Sequence, residues 1–175
     1  MVKKLPKIIS QEEFEKLFKA CGKLSTKYKK QYQVAMLLGF EAGMRISEIV
    51  GLKDRIVPLT KDKVEGSSIR IEGGKGKKDR IVPRPKRFNE KARNMLPLKF
   101  DRRSFQYAMK ALGKKVLDKD ISPHTFRHGF ATHLVNQGRP LHEVQMLVGH
   151  ARLDTTGIYL HASPTKAVEG ARDVF

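Results

Sequence analysis

Pro123-His124-Thr125-Phe126-Arg127-His128, followed by Val148-Gly149-His150 and then by Thr155-Thr156-Gly157-Ile158-Tyr159, is the part of this chain on which the rest of the reading turns. Ser122 and Pro123 supply an N-cap and a first-turn proline, so the spacing predicts a helix running to Asn136 with Gly138 just past its end. His124 and Arg127 lie three residues apart, hence on one face near that helix's N-terminus, where the helix dipole favours an anion such as phosphate. Residues 141–148 read as a further short helix stopped by Gly149. Asp154 can cap a helix carrying Tyr159, and Ser163-Pro164 can start a last one ending near Val174.

The charge balance gives a reason to expect phosphate. The chain has 36 Lys+Arg against 18 Asp+Glu, a formal net charge of +18 in 175 residues. The surplus is clustered, with seventeen basic and seven acidic side chains in residues 53–103. Such clustering is the footprint of a polyanion, because each neutralised phosphate releases condensed counterions. An anionic membrane is the competing partner, but no long helix pairs a basic face with a Trp/Phe/Leu-rich one. No apolar run approaches a membrane span, and no apolar signal region follows the basic start Met1-Val2-Lys3-Lys4. Nucleic acid is favoured. The single cysteine, Cys21, excludes an internal disulfide, fits a reducing cytoplasm, and reads as a small hydrophobe closing the first helix.

Working back to the N-terminus, Ser10-Gln11-Glu12-Glu13 is a capping box, and Phe14, Leu17, Phe18 and Cys21 share the face of a first helix stopped at Gly22. Residues 31–41 predict a more apolar second helix terminated by Gly43, and residues 47–50 a short third one ended by Gly51. The period then changes. Residues 68–72 and 79–82 alternate as strands, joined by a glycine-rich basic tip at 73–78. Residues 89–97 read equally as a short helix or a loop, and helical spacing returns over 103–117. The expected fold is α+β, mostly helical, with a small antiparallel hairpin or three-stranded sheet. At this length it is one domain with a real core.

Several side chains suit phosphodiester chemistry. Arg45 stands on the turn Ala42-Gly43-Met44-Arg45-Ile46-Ser47-Glu48, where Glu48 can orient it so that a planar fork faces two phosphate oxygens; an ordinary surface pair is the plainer reading. Lys75 stands at the hairpin tip, where flanking glycines let it enter a groove, while Lys77, Lys78 and Arg80 fit backbone phosphate contacts. Tyr159 is the candidate nucleophile, with a hydroxyl whose pKa near ~10 needs help to ionise. Two arginines and a histidine around one phosphate can give that help. No tight acidic cluster suits a catalytic divalent metal, so neither a metal nor a cofactor is expected.

The order of these motifs resembles the catalytic domain of tyrosine recombinases, in their Xer-type and phage-integrase branch. The resemblance rests on Gly43-Met44-Arg45-Ile46-Ser47-Glu48, Gly74-Lys75-Gly76-Lys77-Lys78-Asp79-Arg80-Ile81-Val82-Pro83, His124-Thr125-Phe126-Arg127-His128-Gly129-Phe130-Ala131-Thr132-His133-Leu134, Val148-Gly149-His150 and Thr155-Thr156-Gly157-Ile158-Tyr159-Leu160-His161. It extends from about Leu5 to the C-terminus and implies a function and roles. Arg45 and Arg127 would clamp the scissile phosphate, Lys75 would protonate the departing 5′-oxygen, His124 would exchange a proton with the tyrosine, and His150 would donate a hydrogen bond to the phosphate. Tyr159 would form a 3′-phosphotyrosyl link, so that religation needs no ATP.

The sequence also departs from that family's pattern. Phe126 and Gly129 replace more usual residues beside Arg127, which predicts a packing change, and residues 53–57 leave the start of the sheet undefined. The helical N-terminal domain usual in the family is expected to be absent from residues 1–175. The expectation is a cytoplasmic, DNA-associated enzyme for site-specific recombination, acting on duplex DNA sites with further protomers in a tetrameric synapse. A type IB topoisomerase-like relaxer and a non-catalytic basic DNA-binding module remain the alternatives.

Overall fold

The computed structural model describes residues 8–53, 55–72 and 79–149. The first helix, α1 (Gln11–Cys21), starts where the capping box requires: the Glu13 amide donates to Ser10 Oγ at 3.2 Å and the Ser10 amide to Glu13 Oε2 at 3.1 Å. Its buried face is Phe14, Leu17 and Cys21. Burial pushes the Cys21 thiol up to about 12, so it is an inert hydrophobe, as its position predicts. The second helix, α2 (Lys29–Phe40), buries every residue from Val34 to Phe40 and packs on α1, as an apolar run without a polar stripe must.

A turn through Gly43 leads to the short α3 (Ile46–Val50). Gly43 adopts φ +66°, and a Cβ there would lie 2.5 Å from a ring carbon of Phe130, so both backbone and packing demand glycine. The sheet follows as β1 (Val64–Glu65), β2 (Ser68–Ile71) and β3 (Arg80–Pro83), antiparallel in the order β1-β2-β3. Pairing Ile69 with Val82 and Ile71 with Arg80 puts Val64, Ile69, Ile71 and Val82 on the buried face and leaves Ile81 exposed. The three-stranded form is thus the observed one. The expected hairpin tip, 73–78, lies outside the described residues.

The ambiguous segment contains a one-turn helix, α4 (Glu90–Arg93), whose Asn89 side chain accepts from the Ala92 amide at 3.1 Å. Three helices complete the described chain: α5 (Arg102–Leu117), capped by Asp101, α6 (Pro123–Asn136) and α7 (Leu141–Val148). Helix α5 packs on α1 and α3, α6 on α2, and α7 on both α6 and β3. The expected helices beyond Gly149 lie outside the described residues. No helix among those described is long and apolar enough to cross a membrane.

An aromatic cluster holds the helices together. Phe14 stacks on Phe40 at 4.2 Å between ring centroids and meets Phe126 edge-on at 6.1 Å. A Cβ on Gly129 would lie 2.6 Å from a Phe40 ring carbon, so the glycine lets α6 close on α2 while Phe126 fills the space beside it. The two departures flanking Arg127 are therefore one packing solution. A smaller cluster of Phe130, Ala131, Val144 and Val148 joins α6 to α7. Phe14→Ala should lower the unfolding free energy by about 3–5 kcal/mol, since a fully buried ring stacked on one neighbour and edged by another leaves a cavity that helices cannot close. Urea denaturation followed by circular dichroism measures it.

Candidate active site

Arg45 is the residue at which the Gly43 turn becomes α3, with extended backbone at φ −77° and ψ 146°. Glu48, one turn on, reaches back: its Oε2 accepts from the Arg45 amide at 2.7 Å and its Oε1 from Arg45 Nη1 at 2.9 Å. The second end of the Arg45 fork donates to the Gly149 carbonyl at 3.2 Å. Arg45 keeps 15% of its side-chain surface exposed, whereas Glu48 exposes none. The local pair read from the sequence is thus a buried carboxylate orienting a partly open guanidinium.

Arg127 sits on the inner face of α6 among Thr125, Phe126, Phe130 and Ala131, and is itself buried. Its Nη1 donates to the Gly43 carbonyl at 2.6 Å and its Nη2 to the Val148 carbonyl. Both arginines therefore bridge the same two pieces of chain, the turn before α3 and the end of α7. That shared bridging brings Arg45 and Arg127 together across more than eighty residues of sequence.

A third arginine joins them. Because Arg80 pairs with Ile71 in the register of β3, it points inward, away from the outward set of Arg70 and Ile81. Its Nη1 and Nη2 donate to the two oxygens of Glu48, each at 2.8 Å, and its Nε to the Leu147 carbonyl at 2.9 Å. Only 9% of its side chain is exposed. The sequence groups Arg80 with Lys77 and Lys78 as a backbone phosphate contact; in the structure its guanidinium ties Glu48 to the end of α7.

Leu147, Val148 and Gly149 thus each offer a carbonyl to a different arginine. These groups belong to the last turn of α7, where backbone carbonyls lack helical partners and carry the negative end of the dipole. Gly149 closes the helix at φ +59°, and a Cβ there would lie 3.0 Å from Arg80 Cδ. Glycine serves both the left-handed turn and the close approach.

The buried carboxylate has the electrostatics this arrangement requires. Burial alone would push Glu48 up; the hydrogen bonds and charge of Arg80, then those of Arg45, overcome it and draw it down to about 2. His124 is exposed at the first turn of α6, and His128, one turn on, is half-buried with its ring centroid 6.4 Å from that of His124. Burial first, then the charges of His124 and Arg127, bring His128 down to about 4, so it is neutral near physiological pH. The structure therefore gathers Arg45, Glu48, Arg127 and, unforeseen, Arg80, with His124 at the mouth of the same helix. Lys75, Lys77, Lys78, His150 and Tyr159 lie outside the described residues. Among those described, no cluster of His, Cys, Asp or Glu is arranged to hold a metal ion.

The sequence profile of the phage integrase family matches residues 7–166. The chain belongs to that family. Curated members similar to it include the tyrosine recombinase XerA of Thermococcus kodakarensis, 33% identical over 89% of this chain and 58% of that protein. The tyrosine recombinase XerD of Ralstonia nicotianae is 34% identical over 91% of this chain and 57% of that protein. The chain thus spans somewhat over half the length of these relatives. Among solved structures, the XerH site-specific recombinase bound to palindromic difH substrate, a post-cleavage complex, superposes with a TM-score of 0.73 at 25% identity, over 96% of this chain and 53% of that one. The catalytic domain of bacteriophage HP1 integrase shares the fold, with a TM-score of 0.66 at 22% identity over 94% of this chain and 93% of that one. The mostly helical architecture with its small antiparallel sheet is the fold of this family's catalytic domains.

Glu48→Gln should cost about 3–5 kcal/mol at neutral pH, because two guanidinium groups, largely shielded from solvent, lose their counter-charge. The deficit should shrink as the pH falls. With a folded value of about 2 against an ordinary 4.5, the carboxylate contributes fully above 4.5 and loses that contribution as the pH falls through the folded value. Denaturation midpoints of both proteins across that range provide the measurement.

Proposed function

We propose that this chain is the catalytic part of a site-specific DNA recombinase, a cytoplasmic, DNA-associated enzyme that cuts and rejoins strands through a 3′-phosphotyrosyl intermediate. The observation that carries the reading is the convergence of Arg45 and Arg127 on the end of α7, immediately before His150 in the chain. Two guanidinium forks held in fixed positions are suited to a phosphate whose equatorial oxygens gain charge during displacement. Family membership and the XerA and XerD relatives support the same chemistry.

In this reading the Tyr159 hydroxyl oxygen attacks phosphorus and the bond to the 5′-oxygen breaks. His124 accepts the tyrosine proton, Lys75 delivers one to the leaving 5′-oxygen, and His150 donates a hydrogen bond to the phosphate. Attack by a free 5′-hydroxyl on the phosphotyrosine reverses the steps and rejoins the strand. Lys77 and Lys78 contact backbone phosphates near the hairpin. The substrate is duplex DNA carrying defined sites, and further protomers assemble on it as a tetrameric synapse.

Tyr159→Phe should abolish the covalent protein–DNA adduct on a nicked suicide substrate while leaving DNA affinity within a few-fold of wild type, as read on denaturing and native gels. An adduct that persists would place the nucleophile elsewhere. Arg45→Lys and Arg127→Lys should each slow single-turnover cleavage about 100-fold or more, because a point charge cannot span two oxygens. Adducts formed equally on DNA of every sequence would favour a type IB relaxer, and DNA protection without an adduct a non-catalytic module.

A further inference from the structure

Arg80 carries a charge inward from a strand whose alternation leaves open which face is buried, and the proposed reaction gives it no part. Its contacts are unusually complete. Two nitrogens take both oxygens of Glu48 and the third takes the Leu147 carbonyl. Glu48 Oε1 is shared with Arg45, whose other nitrogen donates to the Gly149 carbonyl, two residues beyond Leu147. Arg80 and Arg45 are thus parallel ties between the same carboxylate and the same helix end, one 9% exposed and the other 15%.

We propose that Arg80 is a positioning residue for DNA strand cleavage: by tying the Glu48 carboxylate to the end of α7, it sets the orientation of the Arg45 fork at the scissile phosphate. The inference rests on the recombinase reading for its reaction, although the tie itself is a contact within the chain. Arg80 reaches no phosphate; it acts through Glu48 and through the Leu147 carbonyl. Among the described residues, few charged groups surround Glu48. Arg45 and Arg80 bond to it directly, Arg55, Lys63, Arg70 and Glu72 line the adjoining cavity, Arg127 of α6 is held at the Gly43 carbonyl, and the buried residues of α2, α5 and α7 include none that is charged. Arg80 contributes the largest pull against burial, so without it the Glu48 carboxyl rises towards neutrality and Arg45 loses its anchor in acid.

The test compares Arg80→Ala and Arg80→Lys with the full wild-type chain. Single-turnover adduct formation on a nicked suicide DNA should fall about 100-fold in Arg80→Ala at saturating protein, the scale of a small misplacement of a reacting group. DNA affinity should stay within about 3-fold of wild type, since no phosphate contact is lost. The acid limb of the rate should move to higher pH in Arg80→Ala and return towards wild type in Arg80→Lys, which restores the charge but not the bidentate geometry. Carbon-detected NMR of the Glu48 carboxyl, without DNA, should show the same upward shift in its titration. Wild-type cleavage by folded Arg80→Ala would overturn the proposal, as would a rate loss explained wholly by affinity, or one with an unmoved acid limb. Should Arg80→Ala not fold, Arg80→Lys and Arg80→Gln carry the same comparison. A wild-type chain that forms no adduct on any DNA would tell against the recombinase reading, whereas an unmoved Glu48 titration would tell against the tie whatever the chain does to DNA.

Discussion

Burying a carboxylate costs several kcal/mol unless its charge is answered in place, and Glu48 is answered twice, by Arg45 on its own turn and by Arg80 from the sheet. Most of the site's geometry follows from that constraint. With both oxygens occupied from two directions, α3 is held at a fixed distance from β3, and the remaining nitrogens, Arg45 Nη2 and Arg80 Nε, both donate to the end of α7. Arg127 completes the arrangement from α6 by joining the Gly43 and Val148 carbonyls. Four elements distant in sequence are thereby bound by polar contacts whose partners are all buried or nearly so.

The apolar core prepares this meeting. The Phe14–Phe40 stack and the edge of Phe126 set α1, α2 and α6 against each other, and Gly129 allows the approach that puts Arg127 beside the Gly43 turn. Phe130 faces that turn and also belongs to the cluster that seats α7. One helix therefore carries both the hydrophobic spine and the arginine that spans the site. The packing departures beside Arg127 are accommodated without displacing its side chain from the two carbonyls.

Local chemistry was readable from the sequence; register was not. The Ser10 capping box, the Ser122-Pro123 start of α6 and the Arg45–Glu48 pair each depend on residues within one helical turn, and each stands where its pattern predicts. Two-residue β1 is too short to show a period, and one-turn α4 declares itself only through its Asn89 cap. The inward position of Arg80 is not legible in the sequence, because alternation in a strand tells which residues share a face but not which face is inward. Here Val82 takes the core and brings Arg80 in with it, while Ile81 goes out. The clasp at residues 147–149 is made of main-chain carbonyls, which no side-chain motif can announce. The expected chemistry at Lys75, His150 and Tyr159 lies beyond the described residues, so its legibility rests on motif order alone.

Holding three arginines with the end of a helix has a consequence for a ligand that is itself negative. Carboxylates on every guanidinium would neutralise the cations and repel an incoming phosphate, and they would release their hold in acid. Peptide carbonyls do neither. Together they present only about half an elementary charge, do not titrate, and leave the cations their full formal charge. The arginines can be aligned before any polyanion arrives, with Glu48, the counter-ion of Arg45 and Arg80, kept out of solvent. In electrostatic terms the cradle is pre-poled: its cations are set in place by a dipole buried in the backbone, and Arg45 is the most open of the three.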